Sequence, residues 1–186
     1  SPYSASKISA DNLVMSYHYS YGLPVAILRP FNMFGPRQST RAVIPTIITQ
    51  VLKKNSIKLG TLNVSRDFNF VYDIAEGFRK SLLNKKTIGQ VINLGSGVET
   101  KLIDLIKYIE VISKKKIIIK ITEKRKRPIN SEVFRLIADN KKAFRLLKWR
   151  PKFRGSKEFK KALSITYNWY KDPLNLKKFN VNDYNL

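Results

Sequence analysis

Two side chains near the start of the chain have the types and spacing to move a proton. In SPYSASKISADN, Tyr3 and Lys7 stand four residues apart with small residues between them. On a helix, residues with this spacing project from one face, about a turn apart. A free phenol titrates near pH 10 and is a poor base at neutral pH. An ammonium group one turn away favours the phenolate and lowers that value. Chance places such pairs on many helix surfaces, so the pair alone marks only a candidate. Composition argues against several other chemistries. The chain has no cysteine, which excludes disulfides and thiolate metal sites and fits a reducing compartment. Its single histidine, His18, argues against a histidine-based metal site or a Ser-His-Asp triad and reads as a helix-surface residue.

The pair needs a helix, and local signals supply one from Pro2 to about Tyr21. Ser1 can cap it, Pro2 suits the first turn and Gly22 stops it. PVAILRP then reads as a buried strand ended by Pro30, and FNMFGPRQST as a loop of turn formers. RAVIPTIITQVLKK suggests a helix entered at or near Pro45. IKLG and DFNFV read as short strands, and VYDIAEGFRKSLLN as an amphipathic helix starting near Asp73. QVINLGSG is a strand running into a glycine loop. TKLIDLIKYIEVISK is a helix with Leu102, Ile103, Ile106 and Ile109 on one face. KIIIKI is a strand, ADNKKAFRLLKW and SKEFKKALSITYNWY are helices, and the tail from Lys171 on is expected to be loosely held. Alternating strands and helices argue for an α/β protein with some parallel sheet. Only VAILRP and VINLGS are apolar enough to be central, and two strands do not make a doubly wound sheet. Further strands are therefore expected before Ser1.

Several motifs occur in a telling order: SPYSASK, RPFNMFGPRQ, RDFNFVYD, INLGSG, RPINSEVFRLIAD and KAFRLLKWRPKF. From Ser1 to about Tyr170 this series resembles the extended short-chain dehydrogenases/reductases, the NAD-dependent nucleotide-sugar epimerase/dehydratase family. SPYSASK and FGPRQSTRAVIPTIITQ look most like the GDP- or UDP-N-acetylglucosamine 4,6-dehydratases of bacterial surface-sugar pathways. The resemblance implies an α/β fold: the C-terminal part of a Rossmann-like, doubly wound NAD-binding fold plus a small α/β substrate-binding domain. Residues 1–35 would end the NAD-binding domain. Residues 36–186 would form mainly the nucleotide-sugar-binding domain, with 73–97 returning to the NAD-binding sheet.

The same resemblance assigns roles. Tyr3 would take the proton of the sugar C4 hydroxyl as hydride passes to NAD, with Lys7 its electrostatic partner and a ligand of the nicotinamide ribose. Pro30 and Phe31 would lie against the nicotinamide. Asn32 would reach the substrate, since an amide offers both a donor and an acceptor. Arg66 would clamp the substrate diphosphate, where a guanidinium fork fits paired phosphate oxygens, and Arg127 would be a second such arginine. Asp67 and Asp73 are expected to be structural, and Asn93 to Gly97 to be the loop after a late strand. The chain shows no Gly-x-Gly-x-x-Gly dinucleotide fingerprint. It also lacks the segment that would carry the family's Ser/Thr partner of the tyrosine and the Asp-Glu pair of dehydratases. The expectation is a C-terminal fragment of a 4,6-dehydratase, inactive by itself, with a 4-epimerase as the alternative. A homodimer through the tyrosine helix is expected, with Leu13, Met15, Tyr17 and Tyr21 supplying apolar contact.

Charge raises a different class of function. Lys and Arg number 36 against 13 Asp and Glu, a net charge of +23, and SKKKIIIKITEKRKR concentrates it. Such an excess attracts polyanions or phosphorylated ligands, although Lys, Ile and Asn are abundant together, as compositional drift would leave them. A basic nucleic-acid-binding module would interleave cations with exposed aromatics on one face. Most aromatics here sit at core-like positions, so nucleic acid is not expected as a partner. Nor is a membrane, because no apolar run approaches the roughly 18–20 residues of a span. The polar start shows no signal-peptide pattern, and a cytoplasmic setting is expected.

Overall fold

The computed structural model describes residues 1–123 and 128–177, so Arg127 and the end of the basic run lie outside the described residues. Helix α1 spans Pro2–Tyr21. The Ser1 hydroxyl accepts from the Ser4 N–H, and Gly22 closes the helix at φ 66°, its N–H donating to the His18 carbonyl. That left-handed position suits glycine, which has no Cβ to clash. The helix buries none of its residues. Two polar links tie it to the segment from Leu23 to Arg29: Arg29 pairs with Asp11 at 2.6 Å, and the His18 ring meets the Leu23 carbonyl oxygen at 2.7 Å. His18 also lies so close to Gly89 that a Cβ there would come within 2.7 Å of Nε2.

The remaining elements are β1 (Ile27–Pro30), β2 (Met33–Phe34), α2 (Val43–Lys53), β3 (Ser56–Leu59), β4 (Ser65–Arg66), β5 (Asn69–Phe70) and α3 (Val71–Leu82), then β6 (Val91–Leu94), β7 (Thr100–Lys101), α4 (Leu102–Ser113) and β8 (Ile118–Ile121), and finally β9 (Arg135–Leu136), α5 (Lys141–Leu147), α6 (Gly155–Lys171) and α7 (Pro173–Leu176). The two strands singled out as central, β1 and β6, pair with each other in parallel, Ile27 beside Val91 and Pro30 beside Leu94. Among the described residues β1 has no other strand partner. β2–β5 and β3–β8 are also parallel, and β4 sits between antiparallel β7 and parallel β9. The chain is thus an α/β protein with parallel pairing, as the alternation of elements implied.

Apolar side chains gather in two clusters. The larger joins α2, α4 and α6 over β3, with the rings of Phe34, Phe70 and Phe159 in edge and tilted contact. The smaller covers one face of β6 with Ile74, Ile92, Leu94, Ala143, Leu147 and Trp149. Helix α4 corrects one expectation: Leu102, Leu105, Ile106 and Ile109 are buried, whereas Ile103 is exposed. At about 100° per residue Ile103 lies well off the stripe centred on the other four. Beyond α6, Asp172 caps the single turn of α7; the rest of the tail lies outside the described residues.

Helix α3 begins at Val71, earlier than expected, because Asp73 does not start it. The Asp73 carboxylate instead accepts the N–H groups of Lys152 (2.8 Å) and Phe153 (2.9 Å), and its carbonyl accepts the buried Trp149 indole N–H (2.9 Å). Burial pushes this carboxyl above its ordinary value of 3.8, opposed by the N–H groups of Phe153 and Lys152 and by the Lys152 charge. A group that binds its proton more tightly when folded contributes most below the unfolded value, and that contribution is lost as pH rises through the folded one. Asp73→Ala strands two backbone donors and should lower stability by about 2–4 kcal/mol. Urea titrations should show this loss to be largest below about pH 4 and to narrow as pH rises. A gap that widens with pH would contradict the assignment.

Candidate functional site

Residues 30–32 leave β1 already gripped from two sides. The Phe31 N–H donates to the Leu94 carbonyl of β6 (2.9 Å), and the Asn69 N–H of β5 donates to the Asn32 carbonyl (3.0 Å). The Asn69 side chain adds a longer contact, Nδ2 to the Phe31 carbonyl at 3.5 Å. The segment expected to face cofactor and substrate is thus fixed through its backbone. The Asn32 side-chain Nδ2 is buried and has no hydrogen-bond partner. A stranded buried donor carries a desolvation cost of about 1–3 kcal/mol, which a ligand acceptor would relieve.

Behind this segment lies Asp67, fully buried. Its Oδ1 accepts from the Ser96 N–H (3.1 Å), the Ser96 hydroxyl (2.5 Å) and Asn69 Nδ2 (3.1 Å). Its Oδ2 accepts from the N–H groups of Gly97 (2.8 Å) and Ala138 (3.2 Å). Five donors surround the charge, which supports a buried carboxylate without a cation. The expectation that Asp67 and Asp73 are structural agrees with these contacts. The INLGSG loop joins the same arrangement: a Cβ on Gly95 would stand 2.4 Å from the Ala138 Cβ and 2.8 Å from Asp67 Oδ2.

Arg66 precedes Asp67 on β4. Its guanidinium donates to the Ser65 and Phe134 carbonyls (2.9 and 3.5 Å) and reaches Glu132 at 3.4 Å. The neighbouring Glu99 braces the three-stranded sheet by accepting from the Ser65 hydroxyl (2.6 Å) and from Arg135 (2.9 Å). Those two bonds, the hydroxyl first, hold its carboxyl below its ordinary value.

Tyr3 and Lys7 do share one face of α1. Tyr3 is 71% exposed, and the Lys7 ammonium lies 5.6 Å from its ring centroid. Among the described residues no hydrogen bond or ion pair joins either side chain to Asn32 or Arg66; the route between them runs along α1 to the Asp11–Arg29 pair, one residue before Pro30. The structure therefore brings together Pro30, Phe31, Asn32 and the Asp67 network, places Arg66 beside that network, and presents Tyr3 and Lys7 from a separate helix. Sequence reasoning missed Asn69 and Ser96. The one signal for Asn69 was an amide set between two phenylalanines in RDFNF, a position that demands a partner once buried.

The family model described as GDP-mannose 4,6 dehydratase matches residues 1–161. The chain is 33% identical over 184 residues to the UDP-glucuronate 4-epimerase of Thermodesulfobacterium geofontis, covering 96% of this chain and 53% of that protein. It is 39% identical over 113 residues to the dTDP-D-glucose 4,6-dehydratase of Dictyostelium discoideum, covering 60% of this chain and 26% of the relative. Among solved structures, the UDP-glucuronic acid 4-epimerase of Bacillus cereus, in complex with UDP-glucuronic acid and NAD, superposes with a TM-score of 0.82 at 31% identity. That match covers 92% of this chain and 52% of the other. The chain thus spans about half, or less, of the length of the proteins it matches.

The Asp67 network makes a direct prediction. Asp67→Ala would leave the donors of Ser96, Gly97, Ala138 and Asn69 facing a void, and should cost about 3–5 kcal/mol. Thermal unfolding followed by circular dichroism measures it. A loss below about 1 kcal/mol would show that water or rearrangement replaces the carboxylate.

Proposed function

Because the chain belongs to the GDP-mannose 4,6 dehydratase family, we propose that it forms the substrate-facing part of an NAD-dependent nucleotide-sugar 4,6-dehydratase. The observation that carries this reading is the buried, unpartnered Nδ2 of Asn32 at the end of β1, with the Tyr3–Lys7 pair exposed on one face of α1. Tyr3 Oη takes the proton of the sugar C4 hydroxyl. The Lys7 ammonium, on the same helix face, holds ribose hydroxyls. Asn32 Nδ2 donates to a sugar or phosphate oxygen. Pro30 and Phe31 would lie against the nicotinamide of NAD. Arg66, together with Arg127, meets the diphosphate. NAD, when bound, supplies the acceptor for the C4 hydride. In this reading residues 1–35 and 73–97 serve the NAD-binding sheet, and a preceding dinucleotide-binding half pairs with the open edge of β1 and brings the glycine-rich turn. Residues 36–186 serve mainly the nucleotide sugar.

A second reading, a 4-epimerase, is favoured by the match to a 4-epimerase over 96% of the chain. Both share the oxidation at C4. In a dehydratase the 4-keto sugar then loses water and is reduced at C6; in an epimerase it turns and is reduced on its other face. We also propose a homodimer across α1, where Leu13, Tyr17 and Tyr21 are exposed.

In an enzyme in which a dinucleotide-binding half precedes this chain, Tyr3→Phe should lower turnover at least about 100-fold. Nucleotide-sugar affinity should change little, because only the proton acceptor is lost. Arg66→Ala should instead weaken nucleotide-sugar binding by about 1.5–3 kcal/mol in calorimetric titration. A Tyr3→Phe enzyme that keeps more than about a tenth of its turnover would remove Tyr3 from the role of base. Light scattering should show association growing as salt rises to about 0.5 M, where screening weakens the repulsion of +23 chains but not apolar contact. A monomer throughout would contradict the dimer.

A further inference from the structure

We propose that the tip joining α3 to β6 docks on an anionic lipid bilayer. Leu82 and Leu83 form this tip, 86% and 72% exposed; Leu82 is the most exposed large apolar side chain among the described residues. The tip is not loose. The Leu83 N–H donates to the Arg79 carbonyl and the Asn84 N–H to that of Ser81. The buried Thr87 hydroxyl donates to the Ser81 and Asn84 carbonyls (3.0 and 2.7 Å), and Asn84 Oδ1 accepts the Lys86 N–H (3.0 Å). Asn84 Nδ2 then fastens the turn to the Leu146 carbonyl at the end of α5 (2.7 Å). Two adjacent leucines are thus held in water on a pre-formed turn, so binding need not order them first.

Cations surround them. Lys85 and Lys86 follow directly, and Lys80 Nζ donates to the Lys148 carbonyl (3.0 Å), which brings in the α5 end. There the Lys148 ammonium and the Arg150 guanidinium stand over the Phe144 ring, at 5.6 and 4.1 Å. No Asp or Glu occurs in residues 77–98 or 140–157. Among the described residues none of Lys80, Lys85, Lys86, Lys148 and Arg150 forms an ion pair. Glu76 is paired with Arg79, whose hydrogen bond does most to lower its carboxyl, and the Lys80 charge only helps.

This combination selects the occupant. A nucleic acid would satisfy the cations but gives protruding leucines nothing to enter. An anionic bilayer takes both, with lysines at the phosphate headgroups and leucines at the acyl boundary. The contact is peripheral, since no described helix is long and apolar enough to cross a membrane. It also leaves the candidate site open. The tip precedes β6, whereas Phe31 and Asn32 follow β1, and the two strands run parallel; docking and substrate access therefore use opposite ends of the sheet.

Sedimentation with vesicles tests the proposal on the chain itself. Vesicles of phosphatidylcholine with about one third phosphatidylglycerol should bind it, and phosphatidylcholine alone should not. Leu82→Ser with Leu83→Ser should lower partition onto the anionic vesicles at least about tenfold, and Leu83→Ala alone by less. Leu174→Ser, at an equally exposed leucine elsewhere, should leave partition unchanged. Lys85→Glu with Lys86→Glu should abolish binding. Circular dichroism checks that each variant keeps its fold. Equal partition by the double-serine variant, or no binding to anionic vesicles, overturns the proposal. So does tighter retention on a single-stranded oligonucleotide that depends on the lysines and not on the leucines, which would make the tip a polyanion site.

Discussion

The candidate site depends on one buried charge. Asp67 is fully buried, and a carboxylate there is tolerable only if nearly every lone pair is met. Its donors come from three stretches of chain: Asn69 beside it, Ser96 and Gly97 after β6, and Ala138 after β9. Satisfying the charge therefore fixes the meeting point of the β1–β6 pair and the β7–β4–β9 sheet. It also sets the rest of the geometry. The Asn69 N–H holds the Asn32 carbonyl, and its side-chain amide, which also donates to Asp67, reaches the Phe31 carbonyl. Gly95 has to be glycine because Ala138 and Asp67 fill the space a Cβ would need.

A second buried carboxylate does similar work on the far side of α3. Asp73 ties that helix to the segment from Trp149 to Phe153, and so to α5 and α6. Between these two anchors the aromatic core of Phe34, Phe70 and Phe153 fills the space behind the site. The apolar clusters supply most of the driving force, while the carboxylates decide which loops meet. By contrast α1, which carries Tyr3 and Lys7, is joined through polar links and has no fully buried residue, only Asp11, Met15 and His18 being half-buried. The segment around Asn32 is thus held by several hydrogen bonds, whereas Tyr3 and Lys7 stand on an exposed helix.

Local features were legible in the amino-acid sequence where the physics is local. The Ser1 cap and the Gly22 stop bound α1 correctly, and the apolar runs of β1 and β6 marked the two strands that pair. The spacing of Tyr3 and Lys7 placed them on one face, as the ring contact confirms. Partners across 30 to 80 residues were not legible. RDFNFVYD shows two aspartates, but nothing nearby says that one binds the loop at Ser96 and the other the amides of Lys152 and Phe153. Two-residue strands such as β2, β4 and β9 are too short to show a period, and their pairing follows from those distant anchors. Ile103 failed for a subtler reason: Leu102, Ile106 and Ile109 do lie on the buried stripe of α4, but its fourth member is Leu105, while Ile103 sits about 100° around the helix from Leu102.

In the proposed reading the Asp67 network backs Asn32, whose buried and unpartnered side-chain Nδ2 would take a ligand acceptor. The side-chain amide resonances of Asn32 and Asn69, followed by 15N–1H correlation spectroscopy as a nucleotide-diphosphate sugar is added, test this most directly. The Asn32 amide signals should move downfield as they gain an acceptor, while those of Asn69, already committed to Asp67, stay in place. An Asn32 amide that does not respond while the sugar binds elsewhere on the chain would contradict that role.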